Sequence, residues 1–301
     1  MRIIHFDIDE EIGKYLEGST TVDSILSFKD DALCAEAECI SIGHMAPINE
    51  NSLARFPKLR FFITRSVGMD HIDLAYCKSQ GIEVRNIPDY GSFNIAEHAC
   101  ALLLTGTRNI LETQPEIQAG KFTYKGHLAF SLKGKTIGIV GTGRIGLEMI
   151  KRAKGFEMEV VAYDVYKNEN AQKELGFSYV ELDELFSLSD VISLHAPLLE
   201  STKHMINSDS IKKMKDGVVL INTGRGELID TQALVLSISK FRFVGLDVVE
   251  GEKEFSKDHP LLAFKNVLIT PHVAFYSDAS VRKIGEETMR IIGEFEKKIL
   301  V

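Results

Sequence analysis

Thr136-Ile-Gly-Ile-Val-Gly-Thr-Gly-Arg-Ile-Gly146 lies near the middle of the 301-residue chain, and its spaced glycines decide how the fold is read. Gly141 permits a tight turn out of a strand. Gly143 lets backbone approach a pyrophosphate closely, and Gly146 lets the following helix pack against the strand. Ile137, Ile139 and Val140 lead in, and Ile145, Met149, Ile150 and Ala153 follow at helical spacing. A helix starting near Arg144 points its N–H groups and positive dipole end at phosphates. A second apolar run, Val160–Tyr163, ends at Asp164. Such a carboxylate accepts hydrogen bonds from ribose hydroxyls and repels a 2′-phosphate, so the expected nucleotide is NAD rather than NADP.

Working outward, short apolar runs alternate with amphipathic stretches, the pattern of parallel α/β units. Runs at Ile3–Ile8, Cys39–Ile42, Phe61–Thr64 and Glu83–Asn86 form a first set of expected strands. Thr136–Val140, Val160–Tyr163, Val191–His195, Val218–Asn222, Phe243–Asp247 and Val267–Thr270 form a second. The expected fold is α/β with two Rossmann-like or flavodoxin-like lobes. Residues 96–276 would form the NAD-binding, doubly wound parallel sheet. The stretch from Ala279 to Leu300 has apolar residues at helical spacing and must pack somewhere; its return to the first lobe would give a discontinuous substrate domain of residues 1–95 and 277–301.

Composition bounds the rest. A hydrophobic fraction of 45% and a charged fraction of 26% are those of a soluble globular protein. A net charge of -8 argues against a nucleic-acid surface. Cys34, Cys39, Cys77 and Cys100 make neither a C-x-x-C pair nor a metal-ligand spacing, so reduced cysteines in a cytoplasmic protein and no bound metal are expected. The N-terminus does not read as a secretion signal, and the apolar patch near Ala99–Leu104 is too short to span a bilayer.

Chemistry is expected at the carboxyl ends of the second set of strands. Arg225 lies in a glycine-flanked turn after Val218–Asn222. Asp247, Glu250 and Glu252 follow the next strand, and His272 follows the last, just after Pro271. An arginine fork can hold a carboxylate by two hydrogen bonds. A histidine can give or take a proton on a carbonyl or hydroxyl oxygen, and a carboxylate on its other nitrogen favours the imidazolium. Beside a nicotinamide this is the equipment for reducing a 2-keto acid. A single loop histidine is more often solvated or structural. His5, His44, His71, His98, His127, His204 and His259 keep that reading, and His195 before Ala196-Pro197 is expected to line the cofactor. Three such groups ending different strands of one nucleotide sheet are a different matter. Spacing alone leaves Glu250 and Glu252 both open as partners of His272.

These segments resemble the D-isomer-specific 2-hydroxyacid dehydrogenases over essentially the whole chain. Asn222-Thr-Gly-Arg-Gly-Glu-Leu-Ile-Asp230, Leu246-Asp247-Val248 with Glu252, and Thr270-Pro271-His272 carry the likeness. The resemblance implies Arg225 for the substrate carboxylate, His272 as acid/base and Glu252 as its partner. It also places Arg144, Ile145, Asp164, Ala196, Pro197, Thr202, Thr223, Gly224 and Asp247 at NAD-contacting positions, with Gly224 standing where Ala or Ser is more usual. Arg65-Ser-Val-Gly-Met-Asp70 is similar to the loop whose N–H groups, here Val67 and Gly68, hold the substrate carboxylate. Val273-Ala-Phe-Tyr-Ser277 and Tyr90 are similar to the D-lactate and D-2-hydroxyisocaproate branch, in which Tyr90, Phe275 and Tyr276 would wall in a small apolar side chain. The resemblance thus implies reduction of a small 2-keto acid to the D-2-hydroxy acid, foremost pyruvate to D-lactate, by a homodimer. Other 2-keto acids (2-ketoisocaproate, glyoxylate, hydroxypyruvate) and a nucleotide-sensing, corepressor-like binding role are the alternatives.

Overall fold

The computed structural model describes residues 1–16, 20–22, 24–43 and 46–299; His44 and Leu300 lie outside them. The chain divides into two compact units, Met1–Gly91 with Tyr276–Val301, and Ser92–Phe275.

The unit Ser92–Phe275 is built on seven strands. Numbered with those of the other unit in chain order, they are β6 (Thr136–Val140), β7 (Glu159–Tyr163), β8 (Ser178–Tyr179), β9 (Val191–Leu194), β10 (Val218–Asn222), β11 (Phe241–Leu246) and β12 (Val267–Ile269). All pair in parallel, in the order β12-β11-β10-β9-β6-β7-β8. From β6 the chain winds outward through β7 and β8, then returns to β9 and winds the other way. The switch between β6 and β9 is where an open sheet of this kind leaves a crevice for a ligand.

Helices cover both faces, which is why these strands are apolar runs rather than alternating ones. On one side, helices Ser92–Thr107 and Arg144–Gly155 contribute Ala96, Ala99, Leu103, Met149, Ile150 and Ala153 to the core. On the other, Leu185, Phe186, Ile211 and Leu234 pack from helices Leu182–Leu188, Ser208–Lys213 and Thr231–Leu236. Helix Arg144–Gly155 buries Gly146, Met149, Ile150 and Ala153, one stripe of a 3.6-residue period. Helix Ile110–Gln118 has no fully buried residue, and beyond it Phe122, Tyr124 and Leu128 are 95%, 85% and 90% exposed.

The other unit holds β1 (Ile3–Phe6), β2 (Thr20–Val22), β3 (Cys39–Ile42), β4 (Phe61–Thr64) and β5 (Glu83–Asn86). They form a parallel sheet in the order β2-β1-β3-β4-β5, the doubly wound order of flavodoxin-like folds. The terminal helix Asp278–Ile299 packs on one face of this sheet, setting Met289, Ile292 and Phe295 against Cys39, Phe61 and Ile63. Its Phe295 stacks on Phe61 with ring centroids 4.1 Å apart. β2 and β8 are additions to the expected strands. All four cysteines are buried and free, and burial pushes the Cys39 thiol up to about 12 and the Cys100 thiol to about 11. Among the described residues no helix is long and apolar enough to cross a membrane, and no cluster of His, Cys, Asp or Glu could hold a metal ion.

Candidate active site

The glycine turn after β6 has the geometry that the cofactor needs. Gly141 has φ +94°, and a Cβ there would lie 2.7 Å from the His195 carbonyl oxygen. A Cβ on Gly146 would fall 2.0 Å from the Gly141 carbonyl oxygen, so neither position admits a side chain. At Gly143, by contrast, a Cβ would meet nothing within 4 Å, and this residue caps helix Arg144–Gly155 without any side-chain hydrogen bond. The helix N-terminus is thus open to a phosphate group. Arg144 is exposed in its first turn and Ile145 is partly buried behind it.

Asp164, at the end of β7, is held at the mouth of this turn. Its Oδ2 accepts from the Thr142 N–H at 2.6 Å and hydroxyl at 3.0 Å, and its Oδ1 accepts from the Tyr166 N–H at 3.0 Å. Thr142, Gly143, Asp164, Tyr166, Lys167 and Asn168 line a cavity there. Two buried polar atoms, His195 Nδ1 and Thr223 Oγ1, stand without a hydrogen-bond partner at the carboxyl ends of β9 and β10. Orphans of this kind call for a ligand to satisfy them. Burial lowers His195 to about 4, which keeps its ring neutral, and its Nε2 lies 2.9 Å from Ser193 Oγ. These residues fit a dinucleotide. Ala196 and Pro197 continue from His195, and the Thr202 hydroxyl braces their loop by donating to the Pro197 carbonyl at 2.7 Å.

Arg225 sits in the turn after β10. Asn222 fixes that turn, its Nδ2 donating to the Arg225 carbonyl at 2.8 Å and its Oδ1 accepting from the Gly224 N–H at 3.0 Å. The Arg225 Nη1 donates to the Gly224 carbonyl at 2.9 Å. His272 follows β12 with φ +54°, a left-handed conformation costly for a residue with a Cβ. Asp247, 1% exposed at the end of β11, compels it. Its carbonyl accepts from the His272 N–H at 2.9 Å, and its carboxylate accepts from the Val273 and Ala274 N–H groups at 3.0 and 2.8 Å and from the Thr270 hydroxyl at 2.5 Å. His98 adds its Nε2 at 2.9 Å from Thr270 Oγ1 and 3.4 Å from Asp247. Burial pushes the Asp247 carboxyl up, but these donors outweigh it and hold it below the ordinary carboxylate range.

The imidazole so placed has its Nδ1 3.0 Å from Glu252 Oε1, and the Phe275 ring stands nearly perpendicular to it with centroids 6.3 Å apart. Glu250 faces elsewhere, its Oε1 2.5 Å from His204 Nε2. Sequence reasoning named Asn222 as a motif position without a role and missed His98 and His204 as parts of this framework. No local signal marks the two histidines, since each gains its role from chain far away in sequence.

In the other unit, the Ser66–Gly68 loop follows β4. Asn86 Nδ2 donates to the Val67 carbonyl and Ser66 Oγ to the Gly68 carbonyl, each at 2.7 Å. Among the described residues neither the Val67 nor the Gly68 N–H donates to a protein acceptor. Tyr90 is buried, with its carbonyl accepting from Ser280 Oγ, and Tyr276 is exposed.

Residues 100–274 match the family model for the NAD-binding domain of D-isomer-specific 2-hydroxyacid dehydrogenases. The chain belongs to this family. It is 36% identical over 296 residues to a D-specific alpha-keto acid dehydrogenase of Enterococcus faecalis, covering 93% of this chain and 90% of that one. An aromatic 2-oxoacid reductase of Clostridium sporogenes is 38% identical over 255 residues, 80% of this chain and 76% of the relative. The crystal structure of D-lactate dehydrogenase from Aquifex aeolicus, complexed with NAD and lactic acid, superposes with a TM-score of 0.90 at 37% identity, covering 99% of this chain and 96% of that one. The chain is therefore an NAD-dependent D-2-hydroxyacid dehydrogenase, an oxidoreductase that reduces 2-keto acids to D-2-hydroxy acids.

Proposed function

We propose that this dehydrogenase reduces pyruvate to D-lactate, with Arg225, Glu252 and His272 as its catalytic residues. The observation that carries the reading is the His272–Glu252 pair, set at a strand end of the nucleotide sheet with the Phe275 ring in a T-shaped contact with the imidazole. Bound NADH supplies a hydride to the carbonyl carbon. His272 gives a proton from Nε2 to the carbonyl oxygen as negative charge develops there, and Glu252 on Nδ1 fixes the tautomer and balances the charge on the ring. Arg225 binds the substrate carboxylate through its fork and orients the carbonyl. Gly141, Gly143, Arg144, Ile145 and Gly146 would hold the pyrophosphate and Asp164 the ribose, while His195, Ala196, Pro197, Thr202, Thr223 and Gly224 would contact the rest of the dinucleotide and Asp247 the nicotinamide carboxamide. For Val67 and Gly68 as carboxylate donors, and for Tyr90, Phe275 and Tyr276 as contacts of the substrate side chain, the support is motif resemblance.

Pyruvate is favoured by the likeness to the lactate enzyme along nearly the full chain. A bulkier 2-keto acid is the second reading, favoured by the identity with the aromatic 2-oxoacid reductase. The test is kcat/KM for pyruvate against phenylpyruvate at saturating NADH. A higher value for pyruvate supports the first reading, and the reverse order replaces it with the second. The enzyme is further proposed to be a homodimer, an assembly that would cover Phe122, Tyr124 and Leu128.

A further inference from the structure

Glu250 lies two residues before Glu252 and has no place in the chemistry above, yet its carboxylate is fully engaged. Oε1 is bound by His204 Nε2 at 2.5 Å, and Oε2 accepts from the Thr231 N–H at 2.9 Å. Three segments meet at this side chain. The first is the 199–206 turn, where His204 has φ +51°, donates its N–H to the Glu227 carbonyl and accepts from Asn207 Nδ2. The second is the Arg225–Thr231 stretch. The third is the loop after β11 that ends in Glu252. The last two are pressed together, for a Cβ on Gly226 would lie 2.1 Å from the Val249 carbonyl carbon and 2.5 Å from the Glu250 nitrogen. The residue before Gly226 is Arg225. Gly251, at φ +66°, turns the chain between the two glutamates, so that Glu250 faces His204 while Glu252 faces His272.

We infer that Glu250 and His204 form a latch that sets the Arg225 turn and the Glu252 loop at their working separation. They are positioning residues for reduction of the 2-keto acid and touch neither substrate nor cofactor. The inference rests on the catalytic reading of Arg225 and Glu252. A hydrogen bond to an ionised carboxylate is stronger and more directional than a neutral one, and both partners here are partly withdrawn from water. Burial pushes the Glu250 carboxyl up, but the Thr231 N–H and His204 more than offset it, so the group is ionised and able to pair.

The test uses the full-length enzyme, with pyruvate and NADH varied separately. E250A is expected to lower kcat/KM for pyruvate by about 10–100-fold through both kcat and KM, the scale of an ångström of misplacement. KM for NADH should stay near the parent's, and the melting temperature should fall by only a few degrees. H204A should act in the same direction, whereas H204Q, whose amide can still donate to Glu250, should recover most of the rate. Adding E250A to E252Q should lower kcat no further than E252Q alone, because the latch acts on kcat through Glu252. Should E250A fail to fold, E250Q keeps the acceptor for Thr231 and removes only the charge facing His204. Parental pyruvate kinetics in the folded latch variant beside a crippled E252Q overturn this inference alone. So does a loss confined to stability and NADH affinity. A parent-like E252Q overturns the catalytic reading and this inference with it.

Discussion

His272 Nδ1 stands 3.0 Å from Glu252 Oε1, and both residues hang from the carboxyl edge of one parallel sheet. The contact is indirect in origin. Asp247 at the end of β11 gathers three consecutive N–H groups from His272 to Ala274, which turns the imidazole toward the loop that follows Asp247 itself. The dyad thus depends on the pairing of β11 with β12 rather than on any local sequence preference.

If His272 supplies the proton, H272A loses a general acid, and kcat for pyruvate reduction should fall by about 10²–10⁴-fold. NADH affinity, read by fluorescence titration, should stay within about two-fold, since the kinetic loss is one of transition-state interaction. Unchanged turnover would remove His272 from the reaction.

Asp164 is expected to exclude the 2′-phosphate by its charge. D164A should narrow the preference for NADH over NADPH by about tenfold, or about 1.4 kcal/mol. It also removes the acceptor of the Thr142 N–H and hydroxyl, so NADH itself should bind more weakly. A parent enzyme that already prefers NADPH would contradict this account of the carboxylate.

Much of this was legible in the sequence, and the failures have physical causes. The glycine fingerprint and its carboxylate are local, since turn, helix start and strand end lie within one strand–helix–strand unit. β8 has two residues, too few to show a period, and β2 is the largely polar Thr20-Thr-Val22 at a sheet edge. Spacing could not separate Glu250 from Glu252, because the decision lies in the positive φ of Gly251 and in a histidine 46 positions earlier in the chain.

His5 lies fully buried in β1, its Nδ1 2.5 Å from Ser41 Oγ, and burial and then the Arg65 charge lower it to about 4 from 6.5. The unfolded chain binds this proton more readily than the folded one. Its stability contribution is therefore complete above pH 6.5 and is lost as pH falls toward 4, by about 3 kcal/mol. Asp7, raised mainly by burial, works in the opposite sense at acid pH, so the useful quantity is the difference between parent and variant. Urea melts of H5Q should show a flatter decline of stability over this range than the parent. An equal slope would contradict the assignment.

Phe122, Tyr124 and Leu128 expose apolar surface that monomers rarely leave in water. Light scattering should give the mass of a dimer, and F122S/Y124S/L128S should shift the enzyme toward monomer at micromolar concentration. A monomeric parent would contradict the proposed assembly.

The central claim is met most directly by incubating the enzyme with pyruvate and NADH and determining the configuration of the product. The account predicts NADH oxidation with stoichiometric D-lactate, and loss of both in H272A. L-lactate, or no NADH oxidation with pyruvate while NADH still binds, would contradict it.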